Sequence, residues 1–332
     1  MKILVTGTEG YIGSLLTPFL MQRGHTVIGA NTGFYSFDQL NKGAELTTKT
    51  LNTDIRQIDT EDLLDIEAIV YTGDLANAPT GQLYPTIAYD INYKGSVRLA
   101  NIAKTAGVRR FIYMSSCSVY GIDTDDYVTE EFPVNPQSDY AIYKTLVEQD
   151  VKAIADDSFS PTFLRIAHAF GASPRMRFDS ILNYLAGLAW TTKEIKVPSD
   201  GILWCPLVHA LDVCKAILCT LEAPRDIVHN QTFNVGDTAH NYQVKEIAEI
   251  VAEVFKDCPL NFENKVFNQH SYRISFEKIN KIMPGFKCEW TAQRGAQQLL
   301  SLFTLINPKD ISFKHSIFQP FSVKQVKSKI KN

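Results

Sequence analysis

The first fourteen residues constrain the fold of this chain more than any other stretch. An apolar run at residues 3–5 predicts a short buried strand, and a helix-like apolar segment begins after Ser14. Between them stand Gly7, Gly10 and Gly13, in the pattern Gly-x-x-Gly-x-x-Gly. Glycines at this spacing allow a tight turn, a close approach of backbone N–H groups to phosphates, and close packing of helix on strand. Because a helix start also attracts anions, the segment predicts a site for a dinucleotide pyrophosphate, whereas a plain strand-to-helix turn needs only one glycine.

Bulk composition narrows the class of protein. The chain has 332 residues, of which 45% are hydrophobic and 21% charged, as is typical of a globular protein with a large core. A net charge of −3 gives no indication of a nucleic-acid or membrane partner, and we expect neither a signal peptide nor a membrane-spanning segment. The six cysteines form no Cys-x-x-Cys pair and no zinc-like cluster. We therefore expect a cytoplasmic protein with reduced thiols and no metal site.

Strand-like and helix-like segments alternate through the first half of the chain. This alternation predicts an α/β fold built on a doubly wound parallel Rossmann sheet. The predicted strands span residues 2–6, 26–30, 44–51, 68–72, 110–115 and 162–166. The main predicted helices between them span residues 86–106 and 140–155.

The pattern loosens after residue 171, which suggests a second lobe. We divide the chain into a dinucleotide-binding Rossmann domain at residues 1–170 and a smaller C-terminal substrate-binding lobe at residues 171–320. Strands at about 203–209 and 232–236 are expected to return to the main domain. Residues 321–332 form a basic tail, which is interpreted as a solvated terminus.

Three polar residues near the fifth predicted strand suggest proton chemistry beside the dinucleotide. Ser116 follows that strand, and Tyr140 precedes Lys144 by four residues, which places both on one helix face. An ammonium near a phenol stabilises the phenolate and lowers the pKa of the tyrosine from about 10 towards working pH. The serine hydroxyl is suited to polarise a substrate oxygen. Together the three form a proton relay for interconverting an alcohol and a ketone, whereas Tyr143 is interpreted as plain packing.

The chain resembles the extended short-chain dehydrogenase/reductases, in particular the nucleotide-sugar epimerase/dehydratase family. The resemblance runs over roughly residues 1–305 and rests on the glycine turn, the helix motif at residues 92–96, and further motifs at 164–171, 208–212 and 233–236. It implies a Rossmann fold, a nucleotide-diphosphate sugar as substrate, and a homodimer formed through the helices at about 86–106 and 140–155. The catalytic residues that it implies are Ser116, Tyr140 and Lys144. The cofactor-binding residues that it implies are Gly7, Glu9, Gly10, Tyr11, Ile12, Gly13, Asn31, Asp54, Ile55, Asn92, Ser115, Tyr140 and Lys144.

Two departures from the family pattern refine the expected chemistry. In the 4,6-dehydratases of the family an Asp-Glu pair follows the catalytic hydroxyl residue, whereas this chain has Cys117 and Ser118. Elimination of water by that route is therefore not expected, and Ser118 becomes a candidate substrate contact. Asn31 replaces the Asp that usually binds the ribose 2′-hydroxyl of NAD. Because the next basic residue is Lys42, we expect NAD rather than NADP, although Asn31 also fits the role of an ordinary loop residue.

The substrate side departs from the family further. Cys205 stands where an arginine usually grips the substrate diphosphate, and His168 replaces the usual asparagine of the Leu-Arg motif. Arg175, Arg177 and Arg273 are candidates for binding a diphosphate, because bidentate arginine suits that group, but each fits a surface ion pair equally well. We expect His168 to line the substrate cleft rather than to act as a second base.

Three interpretations of function remain open at this point. The leading one is an NAD(P)-dependent epimerase or ketoreductase acting on a nucleotide-diphosphate sugar. The second is a reductase or epimerase of a different, specialised metabolite, which the residues at 168 and 205 would suit. The third is a dinucleotide-binding regulatory protein without catalysis, against which the complete Ser116, Tyr140 and Lys144 set argues.

Overall fold

Seven parallel strands form the central sheet of the computed structural model, which describes residues 1–33, 49–75, 85–121, 124, 126–197, 199–263 and 271–308. In their order across the sheet, the strands are β11 (Gln231–Val235), β7 (Ser160–Ile166), β5 (Arg110–Ser116), β4 (Ala68–Tyr71), β1 (Lys2–Thr6), β2 (Thr26–Asn31) and β3 (Lys49–Asn52). The inner strands β1 and β4 are buried along almost their whole length, as expected for a parallel sheet covered on both faces. The predicted doubly wound α/β fold is confirmed.

Helices cover the sheet on both sides, and others pack in a separate group. The α-helices of the described residues are α1 (Gly13–Gln22), α2 (Pro85–Tyr89), α3 (Ser96–Thr105), α4 (Asp139–Ala153), α5 (Ile181–Thr192), α6 (Ala210–Glu222), α7 (Arg225–Val228), α8 (Val244–Val254), α9 (Glu277–Ile282) and α10 (Ala292–Ile306). One apolar core joins α1 and α6 to one face of the sheet, and another joins α3 and α4 to the opposite face. Within the described ranges, no helix combines the length and apolarity needed to cross a membrane.

A second group of elements packs around an apolar core of its own. Helices α5, α8 and α10 pack together around an apolar core that includes Phe170, Leu182, Val251 and Phe303. The short strands are β8 (His168–Phe170), β10 (Trp204–His209) and β12 (Asn241–Gln243) in one sheet, β9 (Ile195–Val197) paired with β13 (Leu260–Phe262), and β6 (Tyr127–Val128) paired with β14 (Arg273–Ile274). This group supplies a separate packed unit against which a loop can be anchored.

The strand order reverses between β1 and β4. From β1 the chain continues through α1 to β2 on one side, whereas β4 is followed by β5 on the other side. In open parallel sheets the connections diverge at such a point and leave a crevice at the carboxyl ends of the strands. The fold therefore places a ligand site above β1, β4 and β5.

Several boundaries differ from those expected from the sequence. The strand predicted at 44–51 is observed only as Lys49–Asn52, because residues 44–48 lie outside the described residues, as does the basic tail at 321–332. The helix predicted at 86–106 is interrupted by a π-helical turn at Asp90–Gly95, where a side chain at Gly95 would lie 3.1 Å from residues 55 and 56. Of the two strands expected to return to the main domain, β11 lies in the central sheet. The other, β10, lies in the three-stranded sheet because its neighbours are β8 and β12.

Candidate active site

The turn between β1 and α1 is a cradle that only glycine can form. Gly7 has a φ of +68°, and a Cβ on it would lie 2.9 Å from the Cα of Gly73. A Cβ on Gly13 would lie 2.1 Å from the Gly7 carbonyl oxygen, which is a severe overlap with backbone. A Cβ on Gly10 would meet only that same oxygen, at 3.1 Å. Gly7 and Gly13 therefore maintain the turn itself, whereas Gly10 keeps open the surface above the start of α1, where helix N–H groups lack intrahelical partners.

The predicted catalytic residues meet at one cavity of about 360 Å³. Ser116 is the last residue of β5, and Ser138 caps the start of α4 by accepting a hydrogen bond from the Ala141 N–H at 3.3 Å. This cap places Tyr140 in the first turn of α4 and Lys144 one turn later. The cavity wall includes Ser116, Tyr140 and Lys144 together with residues 10–13 of the glycine turn. The structure thus brings the proton-relay candidates beside the predicted pyrophosphate site.

Lys144 is held from two sides beneath the cavity. Its side-chain ammonium donates hydrogen bonds to the Asp74 carboxylate and to the Met114 carbonyl oxygen. The Nζ atom lies 4.4 Å from the ring centroid of Tyr113 and 5.5 Å from that of Tyr140. Burial acts to lower the pKa of Lys144, but the charge of Asp74 and the neighbouring Tyr140 outweigh it and raise that pKa above its ordinary value. Lys144 therefore carries a fixed positive charge close to Tyr140.

Ser116 is arranged as a hydrogen-bond donor to a ligand. Its Oγ accepts hydrogen bonds from the backbone N–H of Ser118 at 3.2 Å and from the Ser118 hydroxyl at 2.9 Å. A serine hydroxyl has two acceptor sites and one proton, so these two contacts occupy its acceptor capacity and leave its own O–H to be donated. Ser118 therefore acts on the cavity through Ser116 as well as lining it directly.

Residues 168–180, which we call the loop wall, close the opposite side of the cavity. His168, Arg175 and Arg177 of this segment line it. The surrounding protein and the Arg177 guanidinium act to lower the pKa of His168, so its ring is neutral near pH 7. Arg177 forms an ion pair with Asp179 at 2.7 Å. The wall thus presents a neutral imidazole and two cationic side chains to a ligand.

Hydrogen bonds tie the loop wall to the glycine turn. The Tyr11 hydroxyl donates to the Gly171 carbonyl oxygen at 2.7 Å, and the Ser173 hydroxyl donates to the Tyr11 carbonyl oxygen at 2.8 Å. The Asn183 side chain accepts from the Gly171 N–H at 2.9 Å and donates to the Arg177 carbonyl oxygen at 2.8 Å. Sequence reasoning did not find these contacts, because they join residues that are far apart in the chain.

Other predicted cofactor residues are engaged with the protein. Asn31 donates to the Thr8 hydroxyl at 2.8 Å and accepts from the Gly33 N–H at 2.9 Å. Asn92 binds the backbone of residue 75 through both halves of its amide, at 2.8 and 3.2 Å. The Ser115 hydroxyl donates to Glu148 at 2.6 Å. These three side chains position the backbone and strands around the site.

The remaining candidates lie at the margins of the site. Asp54 accepts three hydrogen bonds from Arg56, at 2.7 to 3.0 Å, and Ile55 is buried. Burial acts to raise the pKa of Asp54, but its bonds to Arg56 hold that pKa below its usual value. Glu9 lies in the glycine turn. The cavity wall formed by described residues does not include Arg273, whose guanidinium carbon lies 4.6 Å from the Tyr127 ring centroid.

Asp74 is a charged cavity residue that the sequence analysis did not identify. Asp74 lies three residues after the end of β4 and contacts Lys144. The signal that would have found it is its place in the chain, since polar residues just past the carboxyl end of a parallel strand often face the ligand crevice. Among the described residues, no group of three or more His, Cys, Asp or Glu side chains is arranged to hold a metal ion.

The central sheet, glycine cradle and Ser–Tyr–Lys set define a Rossmann-fold protein of the extended short-chain dehydrogenase/reductase class. The chain belongs to the NAD dependent epimerase/dehydratase family, whose model matches residues 3–236.

Individual relatives agree with this assignment. The chain is 26% identical to a UDP-glucose 4-epimerase of Bacillus subtilis over 291 residues, which cover 80% of this chain and 86% of the relative. A UDP-glucuronic acid 4-epimerase from Bacillus cereus, solved with UDP-glucuronic acid and NAD, superposes with a TM-score of 0.79 at 20% identity, over 92% of this chain and 100% of the other. An NAD dependent NDP-hexosamine 5,6-dehydratase of tunicamycin biosynthesis superposes with a TM-score of 0.80 at 20% identity, over 92% and 98% of the two chains. The two structures share the fold with this chain.

Proposed function

We propose that this protein is an NAD-dependent epimerase or ketoreductase acting on a nucleotide-diphosphate sugar. The observation that carries the proposal is that Ser116, Tyr140 and Lys144 line the same cavity as the glycine turn. The sequence relatives that are UDP-glucose 4-epimerases support the choice of a sugar nucleotide. We assign cofactor binding to residues 1–170 and substrate binding to residues 171–320.

The cradle at the β1–α1 turn fits a dinucleotide. A Cβ at Gly13 would overlap the Gly7 carbonyl oxygen, and Gly10 leaves the turn surface free for a pyrophosphate. Residues 7–13 would hold the pyrophosphate, Asn31 and Asp54 the adenosine side, and Lys144 the nicotinamide ribose. NAD, when bound, supplies the hydride acceptor and donor. The structure of a relative with NAD bound supports this cofactor.

Proton transfer is assigned to Tyr140. As the sugar carbinol is oxidised, Tyr140 takes the proton from its hydroxyl, and Lys144 stabilises the phenolate that receives it. Ser116, whose acceptor capacity is occupied, donates a hydrogen bond to the same substrate oxygen and polarises the resulting ketone. Returning the proton completes reduction. An epimerase then reduces the keto sugar on its opposite face and releases the epimer. A ketoreductase instead releases the keto sugar as its product or takes it up as its substrate.

The residues after Ser116 favour oxidation and reduction over 4,6-dehydration. Cys117 is buried, burial raises the pKa of its thiol well above the ordinary value, and the thiol donates to the Arg165 carbonyl oxygen at 3.3 Å. Ser118 is bonded to Ser116. Neither supplies a carboxylate or another base that would remove a carbon-bound proton.

Recognition of the substrate is assigned to the loop wall. Arg175 and Arg177 are the cationic residues that the loop wall contributes to the cavity, and bidentate guanidinium groups suit a diphosphate. His168 and Ser118 contact the sugar. Cys205 is buried in β10, so it does not replace an arginine. That substitution favours, as a second candidate function, an enzyme of the same chemistry whose substrate lacks a diphosphate.

Two further assignments complete the proposal. We assign a homodimer to the outer faces of α2, α3 and α4, where Tyr89 and Tyr143 form an aromatic contact with ring centroids 5.5 Å apart and Ile142 is 38% exposed. Light scattering of the parent and of Ile142→Glu, which should be monomeric, tests it.

A cytoplasmic location suits the six free cysteines.

The function is tested by asking what the purified protein carries and converts. The protein is denatured, and released nucleotide is identified by mass spectrometry. Native protein is then incubated with NAD and UDP-glucose or UDP-glucuronic acid, and products are separated by chromatography. Tightly held NAD with formation of the sugar epimer supports an epimerase, and exchangeable cofactor with net redox supports a ketoreductase. Failure to bind either nicotinamide cofactor would exclude both. Tyr140→Phe is the matched inactive control.

A further inference from the structure

A buried acidic side chain lies beside the catalytic site without a role in the steps described so far. Asp74 is 6% exposed at its side chain, and Lys144, with which it forms an ion pair, is 2% exposed. Burial raises the pKa of Asp74 above its ordinary value, and the charge of Lys144 acts in the opposite direction. Burying a carboxylate costs free energy unless a partner compensates, so the pairing with Lys144 is what allows Asp74 to remain here.

The backbone around Asp74 is fixed on both sides. Before it, the Thr72 N–H donates to the Thr6 hydroxyl at 3.1 Å, and a Cβ on Gly73 would lie 3.0 Å from that hydroxyl oxygen. After it, Asn92 of the π-helical turn binds both the N–H and the carbonyl of residue 75. Asp74 is therefore held beneath the cavity by bonds to two separate elements. Its contact with Lys144 is a property of the folded framework and does not depend on one mobile side chain.

The charges that meet at this point determine what the carboxylate does. Tyr140, Lys144 and Glu148 approach from α4, Tyr71 from β4, Tyr113 from β5, and Arg177 from the loop wall. Among the described residues, Asp74 is the acidic residue that forms an ion pair with the Lys144 ammonium. The other nearby carboxylate, Glu148, is paired with Arg165 at 2.7 Å. An anion beside Lys144 weakens the field that the ammonium exerts on a neighbouring phenolate.

We propose that Asp74 is a positioning residue, which fixes the Lys144 ammonium between the rings of Tyr113 and Tyr140 and offsets part of the charge that Lys144 presents to the Tyr140 phenol. This inference rests on the proposed role of Tyr140 as the acid and base.

The variant Asp74→Asn tests this, because it keeps the shape and an acceptor for Lys144 while removing the charge. The phenolate absorbance of the NAD-loaded protein is titrated with pH, and the contribution of Tyr140 is taken as the difference from a matching Tyr140→Phe protein. We expect that contribution to appear at lower pH by roughly one unit in Asp74→Asn. With a converted sugar nucleotide, the acidic limb of the kcat/KM profile should move by the same amount. Asp150→Asn, at a carboxylate on the outer side of α4 that accepts from Tyr93, should leave both unchanged.

The outcomes separate this inference from the proposed function. An unmoved Tyr140 signal in Asp74→Asn would overturn the role of Asp74 while leaving the function intact. A Tyr140→Phe protein that loses neither phenolate signal nor turnover would instead overturn the function. If Asp74→Asn does not fold, Asp74→Ser, which also keeps an acceptor, is judged by the same titration. If neither folds, the carboxylate is a structural requirement and the proposal is wrong.

Discussion

The two sides of the cavity are built in different ways. One side, which we call the strand edge, consists of the ends of β1, β4 and β5 with the glycine turn, and the ladder of the central sheet fixes it. The other side is the loop wall, which depends on side-chain bonds to distant residues, such as Tyr11 to Gly171 and the Ala172 N–H to Gln298 at 2.8 Å. The comparison teaches that regular backbone fixes one side of the cavity locally, whereas the other side depends on side-chain bonds to residues far away in the chain.

The strand edge should be broken most completely at Gly13. Gly13→Ala places a Cβ 2.1 Å from backbone, so we expect loss of NAD binding together with destabilisation on the order of 1–3 kcal/mol. Gly10→Val meets only a 3.1 Å contact in the turn but occupies the pyrophosphate surface, so it should abolish NAD binding while the protein stays folded. Calorimetric titration with NAD and thermal unfolding separate the two effects. Unchanged NAD affinity in Gly10→Val would refute the assignment of the turn.

Removal of the Tyr140 hydroxyl, at the cavity between the two sides, should have the next largest effect. Tyr140→Phe removes the proposed acid and base but keeps the ring, so turnover should fall by about 10²–10⁴-fold while cofactor binding is retained. Tyr143→Phe is the matched control, since its ring packs edge-on against Tyr89 on the same helix. Rates at saturating cofactor decide between them. A crippled Tyr143→Phe, or no effect in either variant, would show that the catalytic assignment is wrong.

Acid should lower the stability of the folded protein by protonating His209, which lies at the end of β10 next to the loop wall. This buried ring stacks on Trp290 at 4.1 Å and bonds to Gln298 at 2.9 Å, and burial lowers its pKa from 6.5 to about 4. The folded protein therefore binds the proton more weakly than the unfolded chain, so the contribution is fully present above pH 6.5. It is lost as the pH falls towards 4, and the total is about 3 kcal/mol.

The pH dependence of stability measures this contribution. The free energy of unfolding, obtained from urea titrations between pH 7 and pH 4.5, should fall less steeply for His209→Gln than for the parent protein. His25→Gln, which removes an imidazole that bonds to the exposed Glu222 carboxylate, provides the comparison. Equal slopes for the parent and His209→Gln would contradict the role given to His209.

The smallest expected effect is on the preference between NAD and NADP, and it comes from residues at the end of β2 and just after β3. Arg56, which sequence reasoning did not consider, is committed to Asp54, so no unpaired guanidinium is offered there to a 2′-phosphate and NAD should bind more tightly than NADP. Asp54→Asn releases Arg56 and should improve NADP binding by roughly tenfold or less. Asn31→Asp should move the preference in the opposite direction. Fluorescence titration with both reduced cofactors gives the ratio, and a parent preference for NADPH would overturn the expectation.

Sequence reasoning succeeded where local pattern determines structure. The glycine turn, the β5 end at Ser116 and the four-residue offset of Tyr140 from Lys144 all follow from neighbouring residues, which is why the fold was predicted correctly. The cofactor role of Asn92 stays a prediction, and the bonds of its amide to the backbone of residue 75 could not be read from the motif. Asp74 and Ser173 could not be placed, since their contacts depend on how distant segments pack.

The hydroxyl of Tyr11 joins the glycine turn to the loop wall and thereby couples the two proposed ligand sites thermodynamically. A dinucleotide that restrains residues 10–13 also restrains Gly171 and Ser173, because they share hydrogen bonds with Tyr11. Part of the ordering entropy of the sugar site is then already lost before the sugar arrives. Linkage then requires that occupancy of either site strengthens binding at the other by the same factor, so positive cooperativity between the two proposed sites is expected without any large movement.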